Sequence, residues 1–309
     1  MAEHHFIAGI PLVLGGNVFG WSSNGDEAFA VLDAFFEAGG RMIDTADVYS
    51  AWVPGHKGGE SETVLGQWLE SRGVRPDMKI HTKTGMLGGS ELYEPERVLA
   101  SLDRSLDRLR TDHVDLYYAH KDYSELDVAQ IVEAFDGAVR TGKARAIGAS
   151  NFDASRLSQA LTKSRETGAA EFEALQNEYN LVARASYGED LQSIVTDEGL
   201  VMLPFFGLAS GYLTGKYRTE DDFAKSARGG RARELAGADG PQVIAAMDQV
   251  AKETGAGLAA IALAWLLRQP GIPAPIASAR TPQQLSELLE FTRVDLSDDQ
   301  IARLSASVE

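Results

Sequence analysis

The chain alternates between short apolar runs and longer segments of helical periodicity. A short apolar run is typical of a strand buried on both faces, whereas apolar residues one turn apart indicate a helix. One such helix begins at Pro95 and places Leu99, Leu102, Leu106 and Leu109 on one face. Strands are predicted at residues 11–14, 42–45, 79–83, 114–118, 144–148, 173–176, 200–203 and 275–277. Helices are predicted at residues 26–38, 61–71, 95–109, 126–140, 153–167, 190–197, 241–254, 258–268, 282–290 and 297–306, with Ser61 and Ser297 as N-caps.

Eight strand-then-helix units in one chain imply a parallel sheet with right-handed crossovers. Closing eight such strands gives an α/β fold of the (β/α)8 TIM-barrel type, which we predict as one domain over residues 1–309. A doubly wound sheet is the competing architecture, and it normally carries a Gly-x-Gly-x-x-Gly fingerprint after its first strand. Residues 15–20 read Gly-Gly-Asn-Val-Phe-Gly, which does not fit that fingerprint and favours the barrel.

Composition narrows the class of protein. The 309 residues are 44% hydrophobic and 24% charged, an ordinary soluble mixture, and the formal charge of −16 disfavours a nucleic-acid partner. There is no cysteine, which excludes disulfides and thiolate chemistry. The N-terminus does not read as a signal peptide, and the longest apolar run, at residues 258–267, is too short to cross a bilayer. We therefore expect a cytoplasmic protein without a membrane partner.

The candidate chemistry lies where the predicted strands end. In a barrel, catalytic groups sit at the carboxyl ends of the strands, and these positions hold Asp44, Lys83 and His120, with Tyr49 in the loop after Asp44. Taken alone, each has a structural interpretation as a turn, a solvated charge, a hydrogen-bonded histidine or a packed ring. Their convergence at one barrel mouth favours a functional site.

Together these four residues could move a proton. Lys83 and Asp44 are expected to form a partly buried ion pair, and a cation beside a phenol should lower the pKa of Tyr49 from its ordinary value of about 10. His120 could orient a carbonyl oxygen through a ring N–H. This chemistry requires neither a nucleophile nor a metal site, but it lacks a hydride donor.

Seven motifs in order along the chain resemble the aldo-keto reductases. They are Met-Ile-Asp-Thr-Ala-Asp-Val-Tyr at 42–49, Thr-Lys at 82–83, Asp-Leu-Tyr-x-x-His at 115–120, Gly-Ala-Ser-Asn at 148–151, Leu-Gln-Asn-Glu-Tyr at 175–179, Gly-Tyr-Leu-Thr-Gly-Lys-Tyr at 211–217 and Ile-Ala-Ser-Ala-Arg-Thr-Pro at 276–282. The resemblance implies a (β/α)8 barrel that uses NADPH without a Rossmann domain. It also implies that Asp44, Tyr49, Lys83 and His120 form a catalytic tetrad with Tyr49 as proton donor. The implied function is the reversible NADPH-dependent reduction of aldehydes or ketones.

The resemblance also assigns cofactor contacts. Ser150, Asn151 and Gln176 fall where the family holds the nicotinamide carboxamide. Phe205 falls where an aromatic ring stacks on the nicotinamide, although Gly207 stands where the family often has proline. Lys216 matches the family's Leu-Thr-Gly-Lys motif.

The eighth strand carries the implied site for the adenosine 2′-phosphate. Ser278, Arg280 and Gln284 match those contact positions, and an arginine beside a helix N-terminus suits a dianionic group. Arg280 therefore favours NADP over NAD without excluding dual use. The segment at 216–240 corresponds to a loop that folds over the cofactor, and its cations are compatible with pyrophosphate contact or with a solvated loop. They are Arg218, Lys225, Arg228, Arg231 and Arg233.

The expected substrate is a small carbonyl compound. Trp21, Trp52 and Phe19 lie in loops at the same barrel end, where they form either an apolar pocket wall or anchors for loop packing. The loops at 51–59 and 84–90 should shape substrate choice, and Lys57 is their single cation. The physiological substrate, the reaction direction and the oligomeric state stay open.

A nucleotide-sensing regulatory subunit with little turnover is the alternative function. The potassium-channel beta subunits share the barrel and retain the tetrad, so the tetrad does not separate the two functions. The sequence shows no inactivation-type extension before the first strand, which slightly favours the enzyme.

Overall fold

Eight parallel strands form one sheet in the computed structural model, which describes residues 4–225 and 229–307. Their spatial order is β7-β6-β5-β4-β3-β2-β1-β8, so each crossover leads to a neighbouring strand. At the seam between β7 and β8, Ile276 N donates to Pro204 O at 2.8 Å. The predicted (β/α)8 barrel is confirmed. The strands are β1 Val13–Gly15, β2 Met42–Asp44, β3 Lys79–Thr84, β4 Leu116–Ala119, β5 Ile147–Ser150, β6 Phe172–Gln176, β7 Val201–Met202 and β8 Ile276–Ala277.

The helices surround these strands and follow the predicted order. The polar segment at 215–240, predicted without a helix, contains α7 and α8. The helices are α1 Gly25–Glu37, α2 Glu60–Arg72, α3 Pro95–Leu109, α4 Val128–Arg140, α5 Ala154–Thr167, α6 Glu189–Asp197, α7 Glu220–Ala224, α8 Gly229–Ala236, α9 Gly240–Thr254, α10 Leu258–Leu267, α11 Pro282–Leu289 and α12 Asp298–Ser305.

Helix starts show where local sequence decides structure. Ser297 caps α12 as predicted, because its hydroxyl accepts from Gln300 N while the Gln300 side chain returns to Ser297 N. The prediction for Ser61 is wrong. The N-cap of α2 is Gly59, at φ 87°, and Ser61 is a buried helix residue whose hydroxyl donates to Gly16 O at 2.7 Å.

One strand lies further along the chain than its apolar pattern indicated. The fifth strand was predicted at 144–148, but β5 runs from Ile147 to Ser150. Ala144 forms only an isolated bridge to Val114, and the register between β5 and β6 shifts between Ile147 and Gly148. The shift brings Ser150 into the ladder opposite Gln176.

Alternation along the strands divides the core into two layers. Met42, Leu116 and Tyr118 belong to the cluster inside the barrel, whereas Ile43 and Tyr117 belong to the layer between strands and helices. This follows from strand geometry, because successive side chains of a strand point to opposite faces. Phe6 packs into the interior cluster, and the imidazole of His81 bonds its carbonyl oxygen at 3.0 Å.

In the two described ranges, no single helix is long and apolar enough to cross a bilayer. Helices α9 and α10 reach the length and apolar composition of a membrane span only when they are counted together, and the two helices are bent by 95° relative to each other.

Candidate active site

The ends of β2 and β3 bring Asp44 and Lys83 into contact. Asp44 is in register with His81, and Lys83 lies two residues further along the same face. Lys83 Nζ lies 2.6 Å from Asp44 Oδ2 and 2.8 Å from Thr45 O. The pair was expected to be partly buried, but the two side chains are 0% and 2% exposed. Burial alone would lower the pKa of Lys83, yet the Asp44 and Tyr49 side chains raise it overall, so Lys83 is charged.

Tyr49 lies in the turn after β2, with its hydroxyl 3.3 Å from Lys83 Nζ. The predicted direction of its pKa shift is wrong. Burial raises the pKa of Tyr49 above its ordinary value, and the opposing effect of Lys83 is smaller. Tyr49 is therefore a neutral phenol that holds its proton and accepts a hydrogen bond from a cation.

His120 stands at the end of β4, and its ring centroid lies 6.1 Å from that of Tyr49. Its backbone N donates to Thr84 O at 2.9 Å, and its carbonyl accepts from Asn151 Nδ2 at 3.0 Å. Burial, together with the nearby charge of Lys83, lowers the pKa of His120 well below its usual range. The ring is therefore neutral, and its Nδ1 has no hydrogen-bond partner among the described residues.

Gln176 completes the surroundings of Asp44. Its Nε2 donates to Asp44 Oδ1 at 2.9 Å, so both carboxylate oxygens of Asp44 are occupied. The resemblance to the aldo-keto reductases implies that Gln176 contacts the nicotinamide carboxamide. In the structure its side chain holds the buried carboxylate and lies within the same site.

Ser150 ends β5 and Asn151 follows it, and the structure shows that Asn177 is a partner of this turn. The Ser150 hydroxyl donates to Gln176 O at 2.8 Å. Asn151 has a left-handed backbone with φ 61°, and its N donates to Asn177 Oδ1 at 2.8 Å. Asn177 also donates to Phe152 O and Ser186 O, so it fixes this turn. An amide after β6 was visible in the sequence, but its long-range partners were not.

The loop after β7 carries Phe205 and Lys216. Phe205 packs partly buried against the barrel-interior cluster. Further on, Ala209, Ser210 and Gly211 have consecutive positive φ values of 47°, 56° and 92°. A Cβ on Gly211 would lie 3.0 Å from Lys216 Nζ, so glycine leaves room for this amino group. The N–H groups of Ala209 and Gly211 already donate to Phe206 O and Leu208 O, so the group that this turn offers to an anion is the amino group of Lys216.

Arg280 and Gln284 meet at the start of α11, and Ser278 lies two residues before Arg280. The Gln284 side chain accepts from Arg280 N at 3.0 Å, and Thr281 is the N-cap. Arg280 is exposed, and no carboxylate within the described ranges pairs with it. A free guanidinium beside a helix N-terminus fits a phosphate group. The Ser278 hydroxyl donates to Asn17 Oδ1 at 2.7 Å, which adds a polar group that the sequence argument missed.

Three arginines of the 216–240 segment form ion pairs with carboxylates of the chain. Arg218 pairs with Asp248 at 2.7 Å, Arg231 with Glu234 at 2.8 Å and Arg233 with Glu220 at 2.9 Å. Arg228 lies outside the described residues. These pairs favour a structural role for the three arginines over free contact with a phosphate.

The aromatic residues separate into two groups. Trp21 and Trp52 are 38% and 48% exposed and meet edge to face at 5.7 Å, and Trp52 lies 5.7 Å from the ring of Tyr49. Phe19 is fully buried in the core, so it anchors the loop and does not line a pocket. Met86 and Leu87 are also exposed, in the loop after β3. Within residues 4–225 and 229–307, no cluster of three or more His, Asp or Glu side chains could hold a metal ion.

A parallel eight-stranded barrel with a buried ion pair, a phenol and an imidazole at the carboxyl ends of its strands has the arrangement of a barrel enzyme. The sequence profile described as Aldo/keto reductase family matches residues 11–309. The chain belongs to the aldo/keto reductase family.

Several relatives are similar over nearly the whole chain. Norsolorinic acid reductase B of Aspergillus parasiticus is 29% identical, over 97% of this chain and 81% of that protein. An aryl-alcohol dehydrogenase [NADP(+)] of Phanerodontia chrysosporium is 30% identical, over 92% of this chain and 76% of that protein. Protein tas of Escherichia coli is 29% identical, over 96% of this chain and 93% of that protein. The family and the first two names support an oxidoreductase.

Proposed function

We propose that this protein is an NADPH-dependent reductase of aldehydes or ketones, with Tyr49 as the proton donor. The observation that carries the proposal is the position of the Tyr49 hydroxyl, 3.3 Å from the buried ammonium of Lys83 and beside the ring of His120. The names of the reductase and dehydrogenase relatives support the reaction class.

The four side chains have complementary roles in this reaction. The hydride for the carbonyl carbon would come from NADPH when it is bound. The neutral phenol of Tyr49 gives its proton to the carbonyl oxygen, and Lys83 stabilises the charge left on the phenolate. Asp44 holds Lys83 in place, and Gln176 holds Asp44. Neutral His120 offers a ring N–H to the same carbonyl oxygen without adding a charge.

The cofactor would lie across the carboxyl ends of the strands. In this proposal Arg280, Ser278 and Gln284 would hold the 2′-phosphate, and Lys216 would hold the pyrophosphate. Ser150 and Asn151 would hold the carboxamide, and Phe205 would offer its ring to the nicotinamide. The exposed guanidinium of Arg280 supports NADP over NAD.

The substrate we favour is a carbonyl compound with an aromatic or other apolar body. Trp21 and Trp52 form an exposed aromatic wall beside Tyr49, with Met86 and Leu87 exposed on the next loop. Lys57 is the one cation of the loops at 51–59 and 84–90, which disfavours phosphorylated substrates. A cytoplasmic location is part of this proposal.

The test is an aldehyde panel assayed with NADPH and with NADH. We expect NADPH oxidation with reactive aldehydes such as nitrobenzaldehyde or methylglyoxal. Tyr49→Phe should lower kcat by about a thousandfold while NADPH binding, followed by cofactor fluorescence, is retained. Unchanged turnover in Tyr49→Phe would remove Tyr49 from the acid role. Tight NADPH binding without turnover on any aldehyde would favour the nucleotide-sensing alternative.

A further inference from the structure

The loop that follows Tyr49 is held by one carboxylate. Residues 50–58 form a series of tight turns, with Ala51 N bonded to Val48 O at 2.7 Å and His56 N bonded to Val53 O at 3.0 Å. Trp52 lies at the exposed side of this loop. Turns of this kind leave backbone N–H groups that need acceptors.

Glu60, the first residue of α2, accepts three of these N–H groups. Its Oε1 accepts from Lys57 N at 2.8 Å, and its Oε2 accepts from Gly58 N at 3.0 Å and Ser50 N at 3.2 Å. Burial raises the pKa of Glu60, but the backbone N–H bonds lower it more, so the carboxylate is ionised. One side chain thus joins the beginning and the end of the loop.

The same side chain supports the loop that carries Trp21. Gly20 has φ 74°, and a Cβ added there would lie 2.7 Å from Glu60 Cβ. The Ser50 hydroxyl also donates to Gly20 O at 3.4 Å. Glu60 therefore lies at the junction of two loops whose tryptophans meet at 5.7 Å.

We propose that Glu60 is a positioning residue that fixes the aromatic wall of Trp21 and Trp52 and thereby sets the preference for aromatic over small aliphatic carbonyls. A first-turn glutamate could otherwise act only on the helix dipole. The three N–H groups argue against that simpler role, because Ser50, Lys57 and Gly58 all lie in the loop outside α2. The selectivity part of the proposal rests on the proposed reductase function.

The test compares Glu60→Gln with Glu70→Gln, an exposed glutamate on the same helix. Because Trp68 and Trp265 are buried, acrylamide quenching of tryptophan fluorescence reports mainly on Trp21 and Trp52. Losing a hydrogen bond to a charged group should raise KM for nitrobenzaldehyde about tenfold in Glu60→Gln and increase quenching. The kcat for methylglyoxal and the NADPH dissociation constant should stay within about twofold of the wild type. Glu70→Gln should change none of these.

A second variant approaches the same junction from the other loop. Gly20→Ala would force a Cβ against Glu60, and the same rise in nitrobenzaldehyde KM and in quenching is expected even if Glu60→Gln does not fold. A loss of unfolding free energy in Glu60→Gln with unchanged quenching and unchanged selectivity would overturn the proposal. If the wild type reduces no aldehyde, the proposed function fails, and the quenching comparison alone then supports or overturns the role of Glu60.

Discussion

Lys83 Nζ lies 2.6 Å from Asp44 Oδ2 in a pair whose side chains are both buried, and the same ammonium lies 3.3 Å from the hydroxyl of Tyr49. The carboxylate keeps the buried lysine charged, as the raised pKa of Lys83 indicates. The charged lysine in turn faces the phenol. Asp44 therefore acts on Tyr49 through Lys83 and does not need to touch a substrate.

Replacing Asp44 with Asn should affect both stability and turnover. An uncompensated buried charge costs on the order of 3–5 kcal/mol, so the free energy of unfolding in denaturant should fall by about that amount. With the charge on Lys83 weakened, kcat should fall by about a hundredfold or more. Asp103→Asn breaks the surface ion pair with Lys143, and it should change neither the free energy of unfolding nor kcat appreciably. Equal losses of unfolding free energy in Asp44→Asn and Asp103→Asn would contradict the inference that burial makes the Asp44–Lys83 pair important.

The fold and the four-residue constellation could be predicted because both follow from local pattern. Short apolar runs mark buried parallel strands, and the residue after each run must lie at the barrel mouth. The direction of the Tyr49 pKa shift could not be predicted, since it depends on how deeply the phenol is buried. Ser61 was misassigned, and the two interpretations of Phe19 stayed open, for a related reason, because the long-range packing of these residues is absent from the local sequence.

Arg280→Ala should separate the two nicotinamide cofactors. A guanidinium on a phosphate contributes about 1.5–3 kcal/mol, so the dissociation constant for NADPH should rise by about tenfold or more. NADH lacks the 2′-phosphate, and its dissociation constant should change by less than about twofold. Fluorescence titration measures both, with Arg293→Ala as an exposed control. Equal losses for the two cofactors would refute the 2′-phosphate assignment.

Gly148 in β5 should tolerate no side chain. A Cβ there would lie 2.5 Å from the ring of Tyr118, which is buried inside the barrel. Gly148→Ala should therefore lower the free energy of unfolding by about 1–3 kcal/mol in a denaturant titration. Gly137→Ala in α4 is the matched control, since the added Cβ would meet only the side chain of Leu99 in α3, at 3.6 Å. The free energy of unfolding of Gly137→Ala should rise by about 0.5–1 kcal/mol. A Gly148→Ala protein more stable than Gly137→Ala would contradict the packing argument.

Asp47 lies two residues before Tyr49 and is buried at the junction of β2 and β3. Its Oδ2 accepts from the Thr84 hydroxyl at 2.6 Å, and its N donates to Lys83 O at 3.1 Å. Burial raises its pKa to about 7, because the hydrogen bond from Thr84 opposes the shift only in part. Among the charged neighbours, Glu62 raises the pKa further and Arg108 lowers it.

Asp47 should make the protein less stable as the pH rises. A carboxyl group whose pKa is raised on folding binds its proton more tightly in the folded state, so its stabilising effect is complete below pH 3.8 and is lost as the pH approaches 7. Asp47→Asn stays neutral and keeps an acceptor for Thr84. The stability of the variant minus that of the wild type should therefore be greater at pH 8 than at pH 5, by on the order of 3 kcal/mol in the free energy of unfolding. Urea titrations at both pH values measure this difference, and the exposed control Asp295→Asn should show none. A difference that does not depend on pH would mean that Asp47 is already ionised at pH 5 in the folded protein.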